Sequence, residues 1–210
     1  ASAIDHFQKM YAASPNNPEV AYWLGQAYLE SDEALSERLD QARKVYTAAL
    51  TATNDAPLIK AGMGQVELLA GQTEAARALF EAALLNSRDK KGDNPVICAA
   101  IGRALEDADK ADYAWGVRLM EDATTKSPKS PEYWVLLGNL YRKANPGEGG
   151  NQAYISYSKA LELDSTFGPA YLRRSRMAEK AQDYELQKSL LDRAVAKNPG
   201  FSAAYYDLYY

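Results

Sequence analysis

The chain has 210 residues, 47% of them hydrophobic and 25% charged, the composition of an ordinary globular protein. A net charge of −4 gives no concentrated basic face, so no nucleic acid partner is expected, and no run approaches the ~20 apolar residues of a membrane span, so no direct membrane insertion is expected either. One cysteine, Cys98, cannot close an internal disulfide, and the start ASAIDHF shows no charged stretch leading into an apolar one, so no targeting segment is expected.

Taken in order, the predicted elements repeat one pattern. A small residue recurs at Gly25, Gly64, Gly102, Gly138 and Ser175, at intervals of 39, 38, 36 and 37 residues. An apolar residue precedes most of these marks (Leu24, Met63, Ile101 and Leu137), with Arg174 as the exception. Pro18, Pro57, Pro95 and Pro131 stand seven residues before the first four marks, where a helix opens and a proline's missing N–H costs nothing. Around Gly138, helical periodicity puts Trp134, Leu137 and Tyr141 on the glycine's own face. A mid-helix glycine costs roughly 1 kcal/mol against alanine, and the missing Cβ lets a partner helix come close.

A second helix follows each mark. Ala42-x₃-Tyr46-x₂-Ala49, Ala76-x₃-Phe80-x₂-Ala83 and Ala153-x₃-Tyr157-x₂-Ala160 share one template; Gly116-x₃-Met120-x₂-Ala123 and Gln187-x₃-Leu191-x₂-Ala194 are weaker copies. Each sets a large knob between two small close-approach points. Residues 1–15 hold a lone second helix, with Ala3, Phe7 and Met10. Full units follow at 16–56, 57–94, 95–130, 131–167 and 168–201, and 202–210 begin a further first helix. Residues 31–41, 86–94 and 145–152 read as exposed polar loops. The whole reads as a single solenoid, 1–210, cut from a longer array.

Trp134, Leu137-Gly138 and Tyr141 have the W-x₂-L-G-x₂-Y spacing that resembles the first-helix signature of the tetratricopeptide repeat (TPR) family, a unit of about 34 residues. The resemblance covers essentially the whole chain. It is strongest in 131–167 and weaker in the third unit, where Cys98 takes the tryptophan's place and Leu105 the tyrosine's. It implies an all-α fold, a right-handed superhelix of antiparallel helix pairs whose first helices line a concave groove. It also implies a scaffold that binds a protein or extended peptide within an assembly, with no catalysis and no cofactor. Tyr-rich, degenerate arrays of this sort resemble those of bacterial envelope and periplasmic proteins, so that compartment is expected over the cytoplasm. The incomplete terminal units suggest self-association.

In the family, the residue after each mark faces the groove. Here these are Gln26, Gln65, Arg103, Asn139 and Arg176, all N–H donors, a ladder suited to the carbonyls of an extended peptide. Neighbouring groove positions are apolar early (Tyr22, Leu29, Leu58, Ala61, Leu68, Leu69) and basic late (Arg142, Lys143, Arg176, Lys180), with Glu106 and Asp107 between. The expected ligand therefore turns apolar side chains toward the first units and acidic ones toward the last. Tyr22, Ala61, Ala99, Val135 and Leu172 stand where a carboxylate clamp wants lysine, so that clamp is not expected.

No other motif carries chemistry. His6 and Cys98 have no visible dyad partner, and Cys98 suits a buried apolar position. Glu106, Asp107, Asp109 and Asp112 lack the alternation, central glycine and closing glutamate of a calcium loop, and no Lys-Ser/Thr follows the Pro146–Gly150 turn as in a phosphate loop. The alternative function is a purely structural segment, its groove filled by another part of the full-length chain.

Overall fold

The fold is described from a computed structural model, for residues 3–147, 149–200, 204 and 207. It is all-α: α1 (Ala3–Ala13), α2 (Pro18–Leu29), α3 (Leu35–Ala52), α4 (Pro57–Leu69), α5 (Thr73–Ser87), α6 (Pro95–Asp107), α7 (Tyr113–Lys126), α8 (Pro131–Ala144), α9 (Gly149–Leu163), α10 (Gly168–Lys180) and α11 (Tyr184–Lys197). Among the described residues there is no strand, only an isolated bridge between Asp89 and Gly92. The expected terminal half-unit lies outside the described residues, apart from Ala204 and Asp207.

The chain packs as two compact units that divide between Ala111 and Asp112, inside the expected third repeat. In the first, α2 pairs with α3 and α4 with α5, while α4 also touches α2, α3 and α6, and α1 lies on α2. In the second, each helix from α7 to α10 packs on the next, and α10 reaches back to α8.

Local chemistry explains where the helices start. Asn17 accepts from the Glu19 and Val20 N–H groups at 2.9 and 3.3 Å, just before Pro18. Asn94 caps α6 on Val96 at 2.9 Å, Asp112 caps α7 on Trp115 at 2.9 Å, and Asp183 caps α11 on Leu186 at 3.0 Å. Each cap satisfies an otherwise unpaired N–H, a contribution of about 1 kcal/mol.

Three of the register marks, Gly25, Gly64 and Gly138, do what their spacing implies. A Cβ on Gly64 would stand 2.5 Å from the Phe80 ring, and one on Gly138 2.5 Å from the Tyr157 ring. Tyr46 closes on Gly25 of its own repeat and also on Gly62 of the next, where an added Cβ would come within 2.6 Å. All three aromatic knobs are buried, each contributing about 1.5–3 kcal/mol.

Two of the expected loops are shorter than their sequence suggested. Within 31–41, α3 already begins at Leu35. Buried Leu39 gives that first stretch a packed face, and Arg38 Nη1 donates to the last-turn carbonyl of Leu29 at 2.7 Å. Within 145–152, α9 begins at Gly149, whose backbone lies so near the Tyr141 carbonyl that a Cβ would collide with it. The third, 86–94, is helical only to Ser87 and then turns, with Arg88 bonded to Asp93 at 2.7 Å.

Candidate functional site

A polar chain crosses the first helices of the first unit. Tyr46 Oη donates to the Tyr22 carbonyl at 3.1 Å and accepts from Gln26 Nε2 at 3.1 Å. The Gln26 amide also donates to Gln65 Oε1 at 2.6 Å, and Gln65 Nε2 to Asp107 Oδ2 at 2.8 Å. Gln26 and Gln65 are each only 2% exposed, so these bonds are what make their burial tolerable. In the second repeat the knob is Phe80, which has no hydroxyl, and Gln65 bonds the neighbouring repeats on both sides.

Beside this chain lies a second cluster. Tyr22 is buried, and its ring meets Trp23 edge-on at 5.3 Å. Trp23 is 42% exposed, and the Arg103 guanidinium lies over its ring at 5.7 Å. Burial pushes the Tyr22 hydroxyl well above the ordinary tyrosine range, and the adjacent Arg103 charge partly offsets that. Among the described residues Arg103 makes no ion pair.

In the second unit, Tyr157 Oη donates to Asn139 Oδ1 at 2.8 Å, and Arg176 donates to Asp207 at 3.1 Å. Lys143 lies over the Tyr113 ring at 5.4 Å. Arg142 and Lys180 make no ion pair among the described residues. Leu172 is buried in a cluster with Leu190 and Leu191. Tyr141 Oη donates to Glu121 at 2.7 Å, and its hydroxyl is pushed up to about 12 by burial and by that carboxylate.

Residues 1–57 and 32–95 match the tetratricopeptide repeat family model. The human IFIT1 dimer with PPP-AAAA superposes with a TM-score of 0.68 at 17% identity, over 91% of this chain and 44% of its own. TTC0263, a thermophilic TPR protein in Thermus thermophilus, superposes at 0.65 and 14% identity, over 91% and 97% of the two chains. YrrB, described as a TPR protein with an unusual peptide-binding site, superposes at 0.53 and 18% identity, over 97% and 98%. The match to the tetratricopeptide repeat model spans residues 1–95, and these solved structures share the fold over most of the chain. At these identities the structural likeness is one of fold, and the chain spans less than half of IFIT1's length. Among curated proteins, no sequence matches it.

As a TPR array, the chain uses its five-donor ladder mostly for itself. Gln26, Gln65 and Arg176 each fasten to the next first-helix segment, through Gln65, Asp107 and Asp207. Asn139 is held by Tyr157 of its own repeat. Arg103 lies beside the Tyr22 hydroxyl and over the Trp23 ring. The early apolar groove positions Tyr22, Leu29, Ala61 and Leu68 are buried, while Leu58 and Leu69 are half-buried. The apolar half of the expected groove is therefore largely filled by the repeats themselves. Trp23 was not singled out in the sequence reading; its signal is a large aromatic one residue beyond a TPR groove position, off the signature spacing.

Proposed function

We propose that this TPR chain is a non-enzymatic scaffold whose second unit holds an acidic, extended segment of a protein partner along α8 and α10. One observation carries the reading. These two first helices touch, and they bear Arg142, Lys143, Arg176 and Lys180, with Arg142 and Lys180 lacking an ion pair among the described residues. Unpaired cations on a packed helical face raise the local concentration of an acidic ligand and speed its capture. The TPR fold commonly serves as a protein- or peptide-binding scaffold, which agrees with this reading.

A second reading has its own observation. Asp207 of this same chain already bonds Arg176, as expected if following segments of the full-length protein cover the face and the array is structural. Fluorescence anisotropy of a labelled, unstructured peptide rich in aspartate separates the two. Binding that weakens in Arg142→Glu/Lys180→Glu and at high salt supports the scaffold. No binding by the native chain supports the structural array.

A further inference from the structure

We infer that Arg103 is a clasp that closes the first-helix side of the first unit by holding α2 and α6 together across α4. The inference goes beyond the reading of α8 and α10 as a ligand face and does not depend on it.

Three observations converge. First, Arg103 stands on α6 and both of its aromatic neighbours stand on α2, yet α2 and α6 have no pair of Cα atoms within 8 Å of each other. α4 lies between them and touches both. The link is therefore made by side chains alone. Second, the link has two parts: the Arg103 guanidinium lies over the Trp23 ring at 5.7 Å, and it donates a hydrogen bond to the Tyr22 hydroxyl. A stacked guanidinium is attracted to the ring face, and partial burial strengthens that attraction. Third, the α2 half is set in advance. Trp23 meets Tyr22 edge-on at 5.3 Å, and Tyr22 stacks in turn on Tyr46 of α3 at 6.5 Å, so the surface that receives Arg103 is rigid.

The residue at Tyr22's register position on α4 is Ala61, which is 1% exposed. An alanine there reaches out by a single carbon and leaves height for Tyr22 and Arg103 to meet above α4. The polar chain from Gln26 through Gln65 to Asp107 crosses the same three helices in two short steps, each between neighbours. Each step can pivot at α4. The clasp spans both steps at once, so it resists a spreading of α2 from α6 that the stepwise bonds tolerate. With the clasp shut, this side of the first unit is filled by its own side chains, and anything entering must first part Arg103 from Trp23 and Tyr22.

The test uses the whole chain with Cys98→Ala and nitroxide labels on Glu19→Cys of α2 and Val96→Cys of α6, two exposed positions. Pulsed electron paramagnetic resonance reads the distance between the labels, and circular dichroism checks that each variant is folded. The expected result is one narrow distance while the clasp is intact. Arg103→Ala should broaden it and shift it to longer values. Trp23→Leu should do so to a lesser degree, because the bond to Tyr22 survives. Arg103→Lys should also fall short of the full shift, since lysine keeps the charge over the ring but lacks the planar fork. Arg43→Ala removes the ion pair between α3 and Glu67 of α4 at 3.0 Å and should leave the distance unchanged. A folded Arg103→Ala chain with the unaltered distance overturns the proposal. Equal broadening in Arg43→Ala also overturns it, because the spacing would then belong to general packing. If Arg103→Ala does not fold, Trp23→Leu and Arg103→Lys decide in the same way, and an unchanged distance in both refutes the clasp.

Discussion

The Tyr157 hydroxyl donates to the Asn139 side-chain oxygen at 2.8 Å, one residue beyond the glycine that the Tyr157 ring covers. Ring and hydroxyl thus lock two consecutive positions of α8 with one side chain. Gly138→Leu should overpack this contact and destabilise the fold by about 1–3 kcal/mol. Tyr157→Phe should cost about 1 kcal/mol, since it keeps the ring and loses the bond. Urea unfolding of both variants checks the order, and an unchanged midpoint for Gly138→Leu would refute the contact.

The Gln26–Gln65 bond makes a different prediction. Both amides are buried, so Gln26→Ala or Gln65→Ala alone strands its partner and should cost about 1–3 kcal/mol. The double variant should cost less than the sum of the two. A double-mutant cycle by urea unfolding reads that coupling directly, and additive losses would mean the bond contributes nothing.

Much of this was legible in the sequence, and the boundary has a physical cause. Gly25, Gly64 and Gly138 sit against the aromatic knobs of their own repeats, because that packing is local and its spacing is written in the chain. The all-α fold of stacked helix pairs follows from the same spacing. The fate of the donor ladder was not legible. Whether a groove glutamine faces a ligand or a neighbouring repeat depends on how close successive first helices lie, and Gln26 reaches Gln65 even while it bonds the Tyr46 hydroxyl. The early start of α3 was hidden too, since a polar stretch around Leu39 reads as loop until the surface that buries this leucine is known.

Two helix ends offer a matched pair. After α4, Gly71 takes φ +80°, and the Gln72 N–H bonds back to the Glu67 carbonyl at 2.8 Å. After α10, Gln182 takes φ +59° in the same arrangement, with the Asp183 N–H on the Ala178 carbonyl at 2.9 Å. This is the left-handed helix-ending turn that glycine occupies without strain. Gln182→Gly should therefore stabilise the protein by up to about 1 kcal/mol, and Gly71→Gln should destabilise it by about 1–2 kcal/mol. Thermal unfolding of the two variants should move in opposite directions.

Alkaline pH should weaken the fold. Burial raises the Tyr22 and Tyr46 hydroxyls well above their ordinary value, and burial with Glu121 pushes Tyr141 up to about 12. The folded state thus holds these protons more tightly than the unfolded chain. Their contribution is fully present below the ordinary tyrosine value near 10 and is lost as pH rises through the folded values. Urea midpoints should be flat below about pH 10 on this account and fall above it. Ultraviolet titration of tyrosinate should show some of the 15 tyrosines ionising late, together with unfolding. Simultaneous ionisation of all of them while the fold persists would contradict the burial.

Amide bonds stitch the first helices of the first unit together. Gln26, Gln65 and Asp107 tie α2, α4 and α6 in series, whereas α3 and α5 have no pair of Cα atoms within 8 Å of each other. Mechanically this is a book bound at the spine. The inner edge has a set length, held by short amide bonds, while α3 and α5 do not touch and α3 is held to α4 by the Arg43–Glu67 ion pair at 3.0 Å. A partner that changed the curvature of this unit would do so most readily by wedging the outer edge open, and the spine would act as its hinge.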